Sequence, residues 1–205
     1  MPGIPFIKEF KFDYGAAMEV TPLIRRVVAR NPNPFTFKGT GTYIIGSQQC
    51  VVIDPGPRMD AHRDAIAAAV KGREVVGIVV THCHGDHSPL SAWLKTETGA
   101  PTYAIGPHRT FPGFVEEDDH DPSEDEGEPE LSEEEKEGLD TDFRPDITVT
   151  DGETFLRARD FSMAAVHTPG HTSNHLCVAV PEEATLFTGD HVMGWSTTVV
   201  SPPDG

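Results

Sequence analysis

Three things are scarce in this 205-residue chain, and each scarcity excludes something. Cysteine occurs three times, at Cys50, Cys83 and Cys177. So odd and sparse a count argues against a disulfide framework and fits a reducing compartment. Basic residues number 16 against 33 acidic ones, for a formal net charge of −17. No basic stripe of the kind that grips a phosphate backbone stands out, which disfavours nucleic acid as a partner. Long apolar runs are missing too. Met1 to Phe10 has neither an apolar stretch nor a basic-then-apolar order, so no signal peptide and no membrane span are expected, and the expected location is the cytoplasm.

The negative charge is concentrated. Between Glu116 and Asp142 stand sixteen acidic residues and one basic residue, Lys136, a net of −15 that leaves about −2 for the rest. Residues 112–142 are nearly free of apolar side chains and carry Pro and Gly, so they cannot bury enough surface to offset their ordering entropy. We expect a solvated, mobile insertion in one domain spanning 1–205. A substrate lid and an acidic docking tail are the functional alternatives.

The remainder reads as an α/β chain. One early strand is expected within residues 1–22, where apolar and charged residues alternate as in Phe6–Phe12, and further strands at Leu23–Ala29, Thr42–Ile45 and Cys50–Ile53, the last ending in Asp54-Pro55-Gly56. Ala61–Val70 is Ala-rich and should be helical. Val75–Val80 is a continuous apolar run suited to a strand buried on both faces. Pro89–Thr98 reads as a helix closed by Gly99, and Pro101–Ile105 as the next strand. Beyond the acidic segment, Ile147–Val149, Thr154–Ala158, Phe161–Val166, Leu176–Val180 and Thr185–Thr188 suggest antiparallel strands.

The chemistry follows the buried run directly, in Thr81-His82-Cys83-His84-Gly85-Asp86-His87. His82 and His84 are two apart and share a face in extended backbone. Imidazole suits zinc, copper, iron or nickel, and a carboxylate adds a harder ligand. Asp86 and His87 follow one turn on and could serve a second ion. Two further segments place ligand types where a strand gives way to a loop: His167-Thr168-Pro169-Gly170-His171 and Thr188-Gly189-Asp190-His191. The expected sets are His82, His84 and His167 around one ion, and Asp86, His87 and a bridging Asp190 around the other. Asp86 and Asp190 would also orient an attacking water.

Taken with Asp54, these motifs resemble the metallo-β-lactamase superfamily over nearly the whole chain. The resemblance implies an αββα sandwich with two metal ions at one edge of the sheets. Zinc is the first expectation and iron or manganese the alternatives; His84, where diiron relatives place a glutamate, favours zinc. It also implies that Asp54 orients the ligand loop rather than binding metal. Asn31-Pro32-Asn33-Pro34, Gly39-Thr40-Gly41-Thr42-Tyr43 and Gly194–Val200 resemble the beta-lactamase-like protein 2 group, near the glyoxalase II thioesterases, which includes single-stranded-RNA endonucleases. The pattern has a further histidine downstream of Asp190, and closing helices and a strand, so a C-terminally truncated chain is expected.

The remaining histidines read more plainly. His171 and His175 are expected to make loop-orienting hydrogen bonds. His191 is expected beside Asp190, either making a local bond or facing the cleft as a proton donor. Cys83 should face away from its neighbours and pack. The functional expectation is hydrolysis of an ester, thioester or lactone-type small molecule by metal-activated water. The rivals are an RNA phosphodiesterase of the same fold, a metal-binding fragment without activity and an iron-based redox enzyme.

Overall fold

The structure, a computed structural model, describes residues 5–107 and 138–200. It contains two sheets. The first holds seven strands in chain order: β1 (Met18–Glu19), β2 (Ile24–Val28), β3 (Gly41–Ile45), β4 (Gln49–Ile53), β5 (Glu74–Val79), β6 (Thr102–Ala104) and β7 (Ile147–Thr148). Pairing is antiparallel from β1 to β4 and parallel from β4 to β7. The second sheet is antiparallel, in the order β11 (Thr185–Phe187), β10 (Leu176–Val180), β9 (Ser162–His167), β8 (Thr154–Arg157).

Parallel neighbours need crossovers, and the helices α1 (Asp60–Val70) and α2 (Ser91–Thr98) supply those from β4 to β5 and from β5 to β6. The buried residues of α1 are His62, Ala65, Ile66 and Ala69, an i, i+3, i+4, i+7 stripe. That stripe and Leu94 of α2 pack with Val27, Ile44, Val52 and Ile78 on one face of the seven-stranded sheet. The opposite face brings Ile24, Ile45, Val51, Ile53 and Val79 against Met163, Leu176, Val178 and Phe187 of the second sheet. The central strands are therefore apolar on both sides, as the Val75–Val80 run suggested. The layers run helix, sheet, sheet, and among the described residues no α-helix covers the outer face of the second sheet.

The one early strand expected within residues 1–22 is β1 (Met18–Glu19), while Phe6–Phe12 belongs to no strand. Its alternating aromatics stack on one another, Phe10 on Phe12 at 5.1 Å and Phe12 on Tyr14 at 4.9 Å, with the Arg26 guanidinium over Phe10. By contrast, the end of the expected mobile insertion is docked. Gly138 O accepts a 2.7 Å bond from Gly85 N, Asp140 N donates to Cys83 O at 2.7 Å, and Leu139 bridges His84. The expectation for 112–137 lies outside the described residues. No described helix is long and apolar enough to cross a membrane.

Candidate metal centre

Four strand ends meet at one rim. β4 and β5 of the first sheet deliver Asp54 and the segment 81–88. β9 and β11 of the second deliver the segments 168–175 and 188–191. A backbone bond from Leu176 N to Thr81 O, 2.8 Å, joins the sheets there, and Gly56 N donates to His87 O at 2.9 Å.

Two groups of ligand-type atoms converge. In the first, His84 Nδ1 lies 2.9 Å from both His82 Nε2 and His171 Nε2. The second is His82, His87 and Asp190, with His87 Nε2 3.5 Å from Asp190 Oδ1, and Asp86 Oδ2 lies beside it, 3.4 Å from His87 Nε2. The other oxygen of Asp190 lies 3.8 Å from His171 Nε2, so this carboxylate spans both groups.

His167 is absent from the first group, and here the sequence expectation is corrected. It is the last residue of β9, paired with Leu176 and exposed, with Nε2 against Ser173 O at 3.2 Å. The chain turns through Thr168–Gly170 before His171 enters the cleft, its side chain only 8% exposed. The reading of His171 as a merely loop-orienting residue is corrected with it. His175 is fully buried, bonded to Thr168 Oγ1 at 2.8 Å, its ring 5.2 Å from that of His82. His191 is half-buried with its ring 5.8 Å from His175, and its Nδ1 has no hydrogen-bond partner among the described residues.

The proton positions follow from the acceptors. A carboxylate only accepts, so the Thr81 hydroxyl, 2.7 Å from Asp54 Oδ2, donates to it. His82 Nδ1, 3.0 Å from that hydroxyl oxygen, must then carry the hydrogen. His87 Nδ1 donates to Asp54 Oδ2 at 2.9 Å and His171 Nδ1 to Val199 O at 2.7 Å. In the neutral forms all three rings turn the lone pair of Nε2 into the cleft, the tautomer a metal ligand needs. Ring nitrogens as close as those of His82, His84 and His171 repel one another unless a proton or a cation lies between them, so the donor set fits a metal. Asp54 is 4% exposed, takes up a left-handed backbone angle (φ 49°) and also accepts from Thr81 N at 2.8 Å. Thr81 and Thr40, whose hydroxyl donates to Asp86 Oδ2, were missed in the sequence. Hydroxyls carry no metal-site signature until a fold sets them beside a ligand.

Electrostatics agree with this arrangement. Burial, reinforced by the neighbouring imidazoles, holds His82 well below the ordinary histidine range and His84 at about 4, so both are neutral at pH 7. Burial pushes His175 down to about 3. His87 goes the other way. Burial opposes its charge, but the carboxylates of Asp86, Asp190 and Asp54 hold it well above the usual range. Asp86 and Asp190 are both lowered, burial being outweighed by His87. Cys50, Cys83 and Cys177 are buried, and Cys83 accepts from Asn174 Nδ2 at 2.9 Å, consistent with packing.

The sequence profile of the metallo-beta-lactamase superfamily matches residues 36–205. The chain belongs to that superfamily. Within it, the chain is 30% identical over 185 residues to an atrochrysone carboxyl ACP thioesterase of Aspergillus chevalieri, covering 88% of this chain and 49% of that protein. It is 28% identical to the lactamase-like protein ptaB of Pestalotiopsis fici, covering 89% and 49%. The chain thus spans about half the length of these curated relatives. Among solved metallo-beta-lactamase folds, a beta-lactamase domain protein from Burkholderia ambifaria superposes with a TM-score of 0.66 at 18% identity, over 94% of this chain and 62% of that one. A family protein from Thermus thermophilus gives 0.65 at 23%, over 89% and 64%. These likenesses carry the fold, two sheets with few helices.

Proposed function

We propose that this chain is a two-metal hydrolase of a carboxylic thioester or ester, with zinc the first choice of ion. The observation that carries the reading is the Asp190 carboxylate spanning two ligand groups, with one oxygen 3.5 Å from His87 Nε2 and the other 3.8 Å from His171 Nε2. His82, His84 and His171 would hold one ion. Asp86, His87 and Asp190 would hold the other, with Asp190 shared. When bound, such ions lower the pKa of water and polarise a carbonyl. Asp54 and Thr81 keep His82 and His87 in the ligating tautomer, and Asp86 and Asp190 orient the attacking water. His191 stands in the outer layer with His175.

The substrate class rests on the cavity at this rim. It measures about 510 Å³, within the usual range for small-molecule sites. Asp86, His87 and Asp190 line it together with Phe10, Phe35, Tyr43 and Phe187. An apolar acyl portion would lie against the aromatics, displacing water, with its carbonyl at the carboxylates. Relatives named as thioesterases support this reading, and the near-neutral charge outside the acidic segment favours a small molecule over RNA. A cytoplasmic setting, argued from the odd and sparse cysteine count, belongs to the same proposal.

The test is elemental analysis after zinc reconstitution, followed by turnover of an aromatic and aliphatic acyl-thioester panel beside labelled single-stranded RNA. Two ions per chain and thioester cleavage that chelation abolishes are expected. A chain that takes up no metal, or that cuts RNA and spares every thioester, would sink the reading.

A further inference from the structure

The segment that resembles the beta-lactamase-like protein 2 group, Asn31 to Tyr43, is not used by any ligand described above, yet it ends against one. Residues 29–40 form a tight loop between β2 and β3. Asn33 Oδ1 accepts from Phe35 N at 2.7 Å and from Thr36 N at 3.0 Å, and the Thr36 hydroxyl donates to Asn31 O at 2.5 Å. Gly39 takes φ 126°, where an added Cβ would fall 1.9 Å from Ala29 O and 3.1 Å from Asn31 Oδ1. Only glycine lets the loop close this tightly on the Asn31 side chain.

The Asn31 amide faces Thr40 with both its atoms. Thr40 N lies 3.0 Å from Asn31 Oδ1, and Thr40 Oγ1 lies 3.1 Å from Asn31 Nδ2. A backbone N–H can only donate, so the amide oxygen must face Thr40 N and the amide nitrogen must face the hydroxyl. Asn31 Nδ2 therefore donates to Thr40 Oγ1. The single hydroxyl hydrogen of Thr40 cannot point back at a donor. It is directed to the remaining partner, Asp86 Oδ2, the oxygen that lies 3.4 Å from His87 Nε2. Thr40 is 6% exposed, so little water competes for that bond.

We infer that Asn31 and Thr40 form a one-way hydrogen-bond relay that holds the Asp86 carboxylate in its ligating orientation, making both positioning residues for the second of the two metal positions. The inference rests on the two-metal reading above. Asp86 follows Gly85 in a turn, and its side chain is 26% exposed. A carboxylate there has rotational freedom to lose on binding an ion, and the relay removes that freedom in advance. Outer partners of this kind typically change metal affinity by about 10–100-fold.

The experiment is a zinc titration of the metal-stripped chain against a chromophoric chelator, resolving two equivalents, with melting temperatures recorded on the metal-free proteins. Four chains are compared: wild type, Thr40→Val, Thr40→Ser and Asn31→Asp. Thr40→Val keeps the shape and deletes the hydroxyl. It should weaken one equivalent by about 10–100-fold and leave the other unchanged. Thr40→Ser should restore wild-type binding. Asn31→Asp keeps the acceptor for Thr40 N but replaces the donor, dividing the Thr40 hydrogen between two carboxylates. It should weaken the same equivalent. If Thr40→Val binds both equivalents like wild type, the relay is wrong and the two-metal reading stands. If it weakens both equally, melts lower and is not rescued by Ser, Thr40 serves folding alone and the relay is again wrong. A wild-type chain that takes up fewer than two ions overturns the two-metal reading and this inference with it.

Discussion

Asp54 binds three partners at once, and that makes it the residue on which the ligand orientations depend. Its two oxygens accept from Thr81 N, the Thr81 hydroxyl and His87 Nδ1, at 2.8, 2.7 and 2.9 Å. Through Thr81 it also decides which nitrogen of His82 carries hydrogen. At the same scale, His167 and His171 differ only in where a turn leaves them, and they make a sharp comparison. His171→Ala removes an imidazole whose Nε2 lies 2.9 Å from His84 Nδ1. It should lose one of two zinc equivalents and nearly all hydrolysis. His167→Ala removes an exposed ring at the end of β9 and should keep both ions, with stability within about 0.5 kcal/mol of wild type, as for ordinary surface changes. Metal analysis of the two purified variants decides between them; equal metal loss in both would count against the assignment.

Among the elements, the loop after β11 has little room. Gly189 adopts φ 46°, and an added Cβ would lie 2.7 Å from His175 Nε2, 2.9 Å from Thr81 Oγ1 and 3.1 Å from Thr81 Cβ. Both neighbours are buried, so neither can swing away. Gly189→Ala must therefore push back either Asp190 or the Thr81–His82 segment. We expect a loss of about 1–3 kcal/mol in chemical denaturation, the usual cost of forcing a side chain into such a backbone position, together with weaker metal binding. Unchanged stability and metal content would show that the loop yields more easily than its packing suggests.

For the whole molecule, one contribution to the pH dependence of stability comes from a histidine outside the converging cluster. His62 of α1 is 3% exposed, with Nε2 2.8 Å from the Thr42 hydroxyl, and burial pushes it down to about 4. Its unfolded value is near 6.5. The unfolded chain therefore takes up the proton first. Stability from neutral His62 is complete above pH 6.5 and is lost as the pH falls toward 4, by a total on the order of 3 kcal/mol. His62→Gln should flatten that dependence. The check is the difference in melting temperature between pH 7 and pH 5 for the two chains under chelation; identical slopes would show that His62 is not the group responsible.

Much of this was legible beforehand. The His82–His87 cluster, Asp190 after a strand and the β4–α1–β5 order needed only local pattern, because strand, helix and ligand types are set by neighbours in sequence. The place of the early strand within residues 1–22 was less legible, because aromatic alternation serves packing of Phe10 on Phe12 and under Arg26 as well as it serves a sheet. The approach of His171 rather than His167 to His84, the Thr40 contact to Asp86 and the docking of residues 138–140 on the 81–88 segment came only from the tertiary structure. Each depends on where the folded strands bring loop ends together, and Thr40 and Asp86 stand 46 residues apart in the chain. Side-chain identity names what a residue is able to bind, while the distance between strand ends determines what it actually meets.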